Sequence, residues 1–67
     1  MRNTIKVARA EMDMTQDDLA KRISVSRQTI NSIEKSRYVP STLLALKISE
    51  IFGKSVNELF FLEEEDF

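Results

Sequence analysis

A chain of 67 residues makes one domain, and folding at this length removes only about 60% of the surface that the unfolded form exposes. So thin a core needs a supplement, and with no Cys and no His neither disulfides nor the usual zinc ligand sets can supply it. Oligomerisation is left, so a homodimer is expected.

The formal net charge of −1 hides an uneven distribution. Residues 1–62 carry ten bases against seven acids, while Glu63, Glu64, Glu65 and Asp66 hold the other four acids. Two units follow: a domain over residues 1–62 and an acidic tail over 63–67. The tail reads as a solvated terminus, or as a segment that tunes binding or keeps a polyanion off one face. There is no signal-peptide core and no membrane-length apolar run. A soluble, cytoplasmic protein with no membrane partner is the expectation.

One Gly and one Pro leave no room for linkers or repeats, and the pattern is that of closely spaced helices. The first is predicted from Thr4 to Glu11, with Ile5 and Ala8 inward and Met12 and Met14 closing the corner. Thr15-Gln16-Asp17-Asp18 resembles a capping box and opens a second helix to about Ile23. Ser24-Val25-Ser26 interrupts the pattern, and Ser26 is placed to cap a third helix from Arg27 to Lys35. Tyr38-Val39-Pro40 is extended, because proline disfavours a helical residue before it. Ser41 then caps a fourth helix ending at Phe52, where Gly53 suits a left-handed C-terminal cap. Ser55-Val56-Asn57-Glu58 is a second capping box, opening a short fifth helix through Leu59 and Phe60. Phe61-Leu62 is expected to run extended and to pair with the N-terminal residues.

Helix, three-residue turn, helix is a general packing solution, and the side chains carry more information than the pattern. At 100° per residue, Arg27, Gln28, Asn31 and Lys35 share one 100° sector, with Ile30 and Ile33 opposite. The second helix faces them with Leu19, Ala20 and Ile23. A solvated helix face is ordinarily Glu and Lys; this one is Arg, Gln, Asn, Ser and Thr. Arg can donate to guanine O6 and N7, and Gln or Asn can pair with adenine N6 and N7. The bland reading is an ordinary polar face.

Thr15-Gln16-Asp17-Asp18-Leu19-Ala20, Val25-Ser26-Arg27-Gln28-Thr29-Ile30-Asn31 and Ile33-Glu34-Lys35 together resemble the helix-turn-helix of the Cro and phage-repressor (Xre) family. Pro40-Ser41, Leu44-Ala45-Leu46-Lys47-Ile48 and Asn57-Glu58-Leu59-Phe60 extend the likeness over nearly the whole chain. The resemblance implies an all-α, five-helix, lambda-repressor-like fold whose third helix enters the major groove of double-stranded DNA. By position it makes Arg27, Gln28 and Asn31 base readers, with Ser32 peripheral. It implies that Gln16 binds phosphate and braces the recognition helix. Ser26, Thr29, Lys35, Arg37 and Tyr38 are further phosphate candidates, which fix register without reading sequence. Arg9 and Glu34 match a family ion pair orienting the third helix, and an exposed pair would add little stability. Ser24 and Ser36 stand where many members carry Gly, at positions that often need positive φ.

Val56, Leu59, Phe60, Phe61 and Leu62 offer more apolar surface than a short terminal helix can bury, so part of it is expected to meet a second copy. A two-fold dimer then implies a near-palindromic operator with half-sites about 34 Å apart, and repression by occluding a promoter. An enzyme is not expected: there is no His, no Cys, no glycine-rich phosphate loop and no grouped carboxylates outside caps and tail. No cofactor, metal or small-molecule ligand is expected either. The competing reading is an antitoxin whose acidic tail contacts a partner protein.

Overall fold

Four hydroxyl side chains cut the chain into its helices. Thr15, Ser26, Ser41 and Ser55 each accept a hydrogen bond from the main-chain N–H three residues on. Each thereby satisfies one of the donors that a helix start leaves without a partner. At Thr15 and Ser55 the bond is returned, because Asp18 and Glu58 accept from the cap residue's own N–H. The computed structural model, which describes residues 1–67, has five α-helices and two short strands. They are β1 (Arg2–Asn3), α1 (Ile5–Glu11), α2 (Gln16–Arg22), α3 (Arg27–Glu34), α4 (Thr42–Phe52), α5 (Val56–Leu59) and β2 (Phe60–Phe61). A 3₁₀ turn spans Glu64–Asp66. No helix is long and apolar enough to cross a membrane.

The expected all-helical fold and the strand joining the two ends of the chain are both present, with a shift of one residue at the end of α5. Phe60 leaves the helix and pairs with Asn3, and Phe61 pairs with Arg2, antiparallel. Two bonds hold Phe60 out of the helix: the Thr4 N–H donates to the Leu59 carbonyl at 2.9 Å, and the Thr4 hydroxyl to that of Glu58 at 3.2 Å. Those carbonyls are spoken for by a segment more than fifty residues away in sequence, which local pattern could not reveal.

Thirteen residues are buried and all are apolar. Leu19, Ala20 and Ile23 from α2 and its C-cap join Ile30 and Ile33 of α3 in that core, with Ile5, Ala8, Leu44, Ile48 and Phe52. α2 and α3 share the most extensive contact of any pair of elements. Met14 is buried, but Met12, expected to close the same corner, is 46% exposed. Leu59 and Phe60 correct the expectation of a dimer surface at those positions: they are 0% and 8% exposed within the single chain. Phe61 and Leu62 are exposed, and Val56 packs half-buried against the core.

Four corners turn through the left-handed region: Asp13, Ser24, Ser36 and Gly53, with φ of 51°, 59°, 58° and 61°. The tail folds back onto the opposite end of the chain. The Met1 amine lies 3.0 Å from Glu63 Oε1 and 3.1 Å from Asp66 Oδ2, and these partners, Glu63 first, raise its pKa above the ordinary 8.0. Glu64 and Glu65 face solvent.

Candidate nucleic-acid interface

α3 has two faces because its apolar residues fall three apart. Ile30 and Ile33 are each 1% exposed, and they press the helix onto α2. Arg27, Gln28 and Lys35 lie exposed, with Asn31, Ser32 and Thr29 half-buried. Ser26 caps the helix through the Thr29 N–H at 3.1 Å, and the two hydroxyls meet at 2.9 Å. That pairing holds the first turn of α3 in place.

An open cleft of about 280 Å³ runs beside this turn, and six of the expected residues line it: Ser26, Gln28, Thr29, Ser32, Arg37 and Tyr38. Arg37 and Tyr38 reach it because Ser36 turns the chain sharply after α3, with the Arg37 N–H bonded back to the Ser32 carbonyl at 2.9 Å. Arg27 lies on the other flank, where it lines a depression with Gln16, Thr15 and the corner after α1. Lys35 stands at the far end as the C-cap of α3. None of Arg27, Lys35 and Arg37 forms an ion pair within the chain, so all three charges are free for a partner.

Beneath this surface lies a polar network. Arg9 donates through Nε to Glu34 Oε2 at 2.6 Å, through Nη2 to Oε1 at 3.1 Å and through Nη1 to the Met14 carbonyl at 2.9 Å. The ion pair implied by the family resemblance is present and largely shielded from water, its Arg9 and Glu34 side chains being 13% and 6% exposed. The hydrogen bonds to Glu34 hold the Arg9 guanidinium still more firmly in its charged form. Gln16 joins the same network, donating through Nε2 to Glu34 Oε1 at 3.2 Å and to Asn31 Oδ1 at 3.3 Å. A carboxamide has two N–H donors, and both face into the protein here. Gln16 thus braces α3. Asn3 belongs to the scaffold as well, and sequence reasoning missed it. Its Nδ2 donates to the Ile33 carbonyl at 2.8 Å, tying β1 to the last turn of α3; an Asn just ahead of a helix was the only local hint.

The architecture of α2, a tight turn and α3 is matched by a helix-turn-helix family model over residues 5–59. The chain belongs to the Cro/phage-repressor (Xre) helix-turn-helix family. Similar proteins cover it almost end to end. An uncharacterized HTH-type transcriptional regulator of Methanocaldococcus jannaschii is 47% identical over 66 residues, 98% of this chain and 100% of the relative. YgzD of Bacillus subtilis, named in the same way, is 46% identical with 98% and 100% coverage. A relative from Archaeoglobus fulgidus is 46% identical over 98% of this chain and 93% of its own length. In this helix-turn-helix, Ser24 turns the chain through a φ of 59° and Ser26 caps α3, and the Arg9–Glu34 bridge joins α1 to the last residue of α3.

Proposed function

We propose that this protein is a sequence-specific, double-stranded-DNA-binding transcriptional regulator that acts in the cytoplasm as a homodimeric repressor of a near-palindromic operator. The observation that carries the reading is the division of α3. Two isoleucines anchor one side, while the other presents Arg27, Gln28, Asn31 and Ser32, hydrogen-bonding groups of the kind that read base edges in a major groove. Ser26, Thr29, Arg37 and Tyr38 flank that face in one cleft and are suited to phosphate, as is the unpaired Lys35. Gln16 contributes by bracing the helix.

The dimer rests on a second surface. Val39, Leu43, Leu46, Phe61 and Leu62 are exposed apolar residues, and Val39 and Leu46 also line a shallow groove of about 200 Å³ with Val56 and Phe60. A protein with so small a core is stabilised by covering such a surface with a second copy. The acidic tail offers less to the antitoxin reading, because Glu63 and Asp66 are already engaged by the Met1 amine.

Selection from a random pool of duplexes tests the proposal directly. The expected product is a two-fold motif with half-sites one helical turn apart. Recovery of unenriched sequence at every salt concentration would overturn it.

A further inference from the structure

Arg9, Glu34, Gln16 and Asn31 form a chain of hydrogen bonds whose polarity is set at one end. A guanidinium only donates and a carboxylate only accepts, so Glu34, gripped by Arg9, offers its surroundings nothing but lone pairs. The Gln16 atom 3.2 Å from Glu34 Oε1 must therefore be Nε2, although an amide could in principle be turned end for end. The same NH₂ group stands 3.3 Å from the Asn31 carboxamide, and the atom it meets has to be the acceptor, Oδ1. Asn31 consequently carries Nδ2 on its other limb. That nitrogen has no hydrogen-bond partner in the protein, and it is not enclosed, since no buried side-chain polar atom is left without one. An Asn on an unrestrained helix face can rotate its amide to suit either a donor or an acceptor; this one is held as a donor.

We propose that Gln16 is a specificity-determining positioning residue: by holding Asn31 Oδ1 it presents Nδ2 to the base that Asn31 meets and excludes cytosine there. The inference rests on the DNA-binding reading above. In the major groove adenine and guanine offer N7, guanine also O6 and thymine O4, all acceptors, whereas cytosine offers only its N4 amino donor. Two amino groups facing one another gain nothing and leave both without an acceptor. Turning the Asn31 amide would relieve the conflict, but it would set Nδ2 against the Gln16 NH₂, which Glu34 and Arg9 prevent from turning in its place.

The experiment is selection of duplexes from a random pool by the full chain, by Asn31→Ala, and by Gln16→Met, which keeps the volume and removes the donors. Asn31→Ala locates the base position that Asn31 reads. At that position the parent is expected to deplete cytosine about tenfold against the best base, and Gln16→Met to reduce the depletion to about threefold or less. The other positions should keep their preferences, which a merely structural role of Gln16 would not allow. In the free protein, 15N relaxation should report a rigid Asn31 carboxamide that loosens in Gln16→Met, a readout that survives loss of DNA binding in the variant. Cytosine accepted by the parent, unchanged depletion in Gln16→Met, an already mobile Asn31 amide, or no base position sensitive to Asn31→Ala would each overturn the inference while leaving a selected motif, and so the DNA-binding reading, intact. A parent that selects no motif overturns both.

Discussion

Arg9 Nε lies 2.6 Å from Glu34 Oε2, joining the first helix to the end of the third across side chains that are 13% and 6% exposed. A pair this far from water repays its desolvation only while both partners are present. Arg9→Ala should therefore cost about 3 kcal/mol, because it leaves the shielded Glu34 carboxylate with Gln16 as its one remaining side-chain donor. That is comparable to the whole stability of a small domain. Urea denaturation followed by circular dichroism would measure it. The double replacement Arg9→Met with Glu34→Met should lose less than the single one; a larger loss would mean that the bridge itself, and not the orphaned charge, dominates.

Contacts to bases and to phosphates should separate by salt and by sequence. Arg27→Ala and Gln28→Ala should each cost about 1 to 3 kcal/mol of specific binding and relax preference at one base position. Arg37→Ala should weaken every duplex alike and flatten the plot of log K against log salt by about one unit. Titrations against operator and scrambled duplex at several salt concentrations distinguish the two outcomes. Undiminished discrimination by the Arg27 variant would remove that residue from the base-reading set.

Ser24 and Ser36 hold φ of 59° and 58°, where a side chain costs roughly 1 to 2 kcal/mol that glycine does not incur. Part of that gain is lost to the greater freedom of an unfolded glycine. Ser24→Gly and Ser36→Gly should each stabilise by about 0.5 to 1 kcal/mol, and thermal melts should rise by a few degrees. Lower melting temperatures would show that the serines make compensating interactions.

Leu46, 53% exposed on α4, sits in the groove proposed to receive a second copy. Leu46→Glu should shift the protein from dimer to monomer in sedimentation equilibrium without altering its helicity. Operator binding should then fall more steeply than binding to a single half-site. A variant that remains dimeric would move the interface elsewhere.

Acid should weaken the caps. The Thr15 main-chain N–H, with help from its hydroxyl, holds the Asp18 carboxyl below the ordinary 3.8. The Ser55 N–H, again helped by the hydroxyl, holds Glu58 below 4.5. A carboxylate whose pKa is lowered by folding contributes stability that is present above its unfolded value and lost as pH falls through the folded one. Melting temperature should thus decline from about pH 4.5 downward, and the acid limb should be shallower in a variant carrying Asp18→Asn and Glu58→Gln. An equally steep limb in that variant would assign the acid sensitivity to other carboxylates.

Much of the candidate site is legible in the sequence because it depends on neighbours within one turn. The caps at Thr15, Ser26, Ser41 and Ser55 need only a hydroxyl three residues before an amide. The division of α3 follows from helical period, which puts Ile30 and Ile33 opposite Arg27, Gln28 and Asn31 without reference to anything else in the chain. The left-handed turns at Ser24, Ser36 and Gly53 are marked by where the helices stop. Met12 and Asp13 are the local exception, since nothing in their spacing tells which of Met12 and Met14 faces inward.

Meetings between segments far apart in the chain leave no such local mark. Leu59 and Phe60 look like an exposed apolar end until β1 arrives to take the carbonyls of the last turn and the core closes over both side chains. Whether the Arg9–Glu34 pair lies open to solvent or partly shielded depends on how α1 and α3 cross. The direction of the Asn31 amide depends on Gln16 reaching α3 from α2. Local hydrogen bonds and helical period act over three or four residues and can be read from spacing; burial and shared hydrogen-bond partners arise from crossings that the whole core determines together.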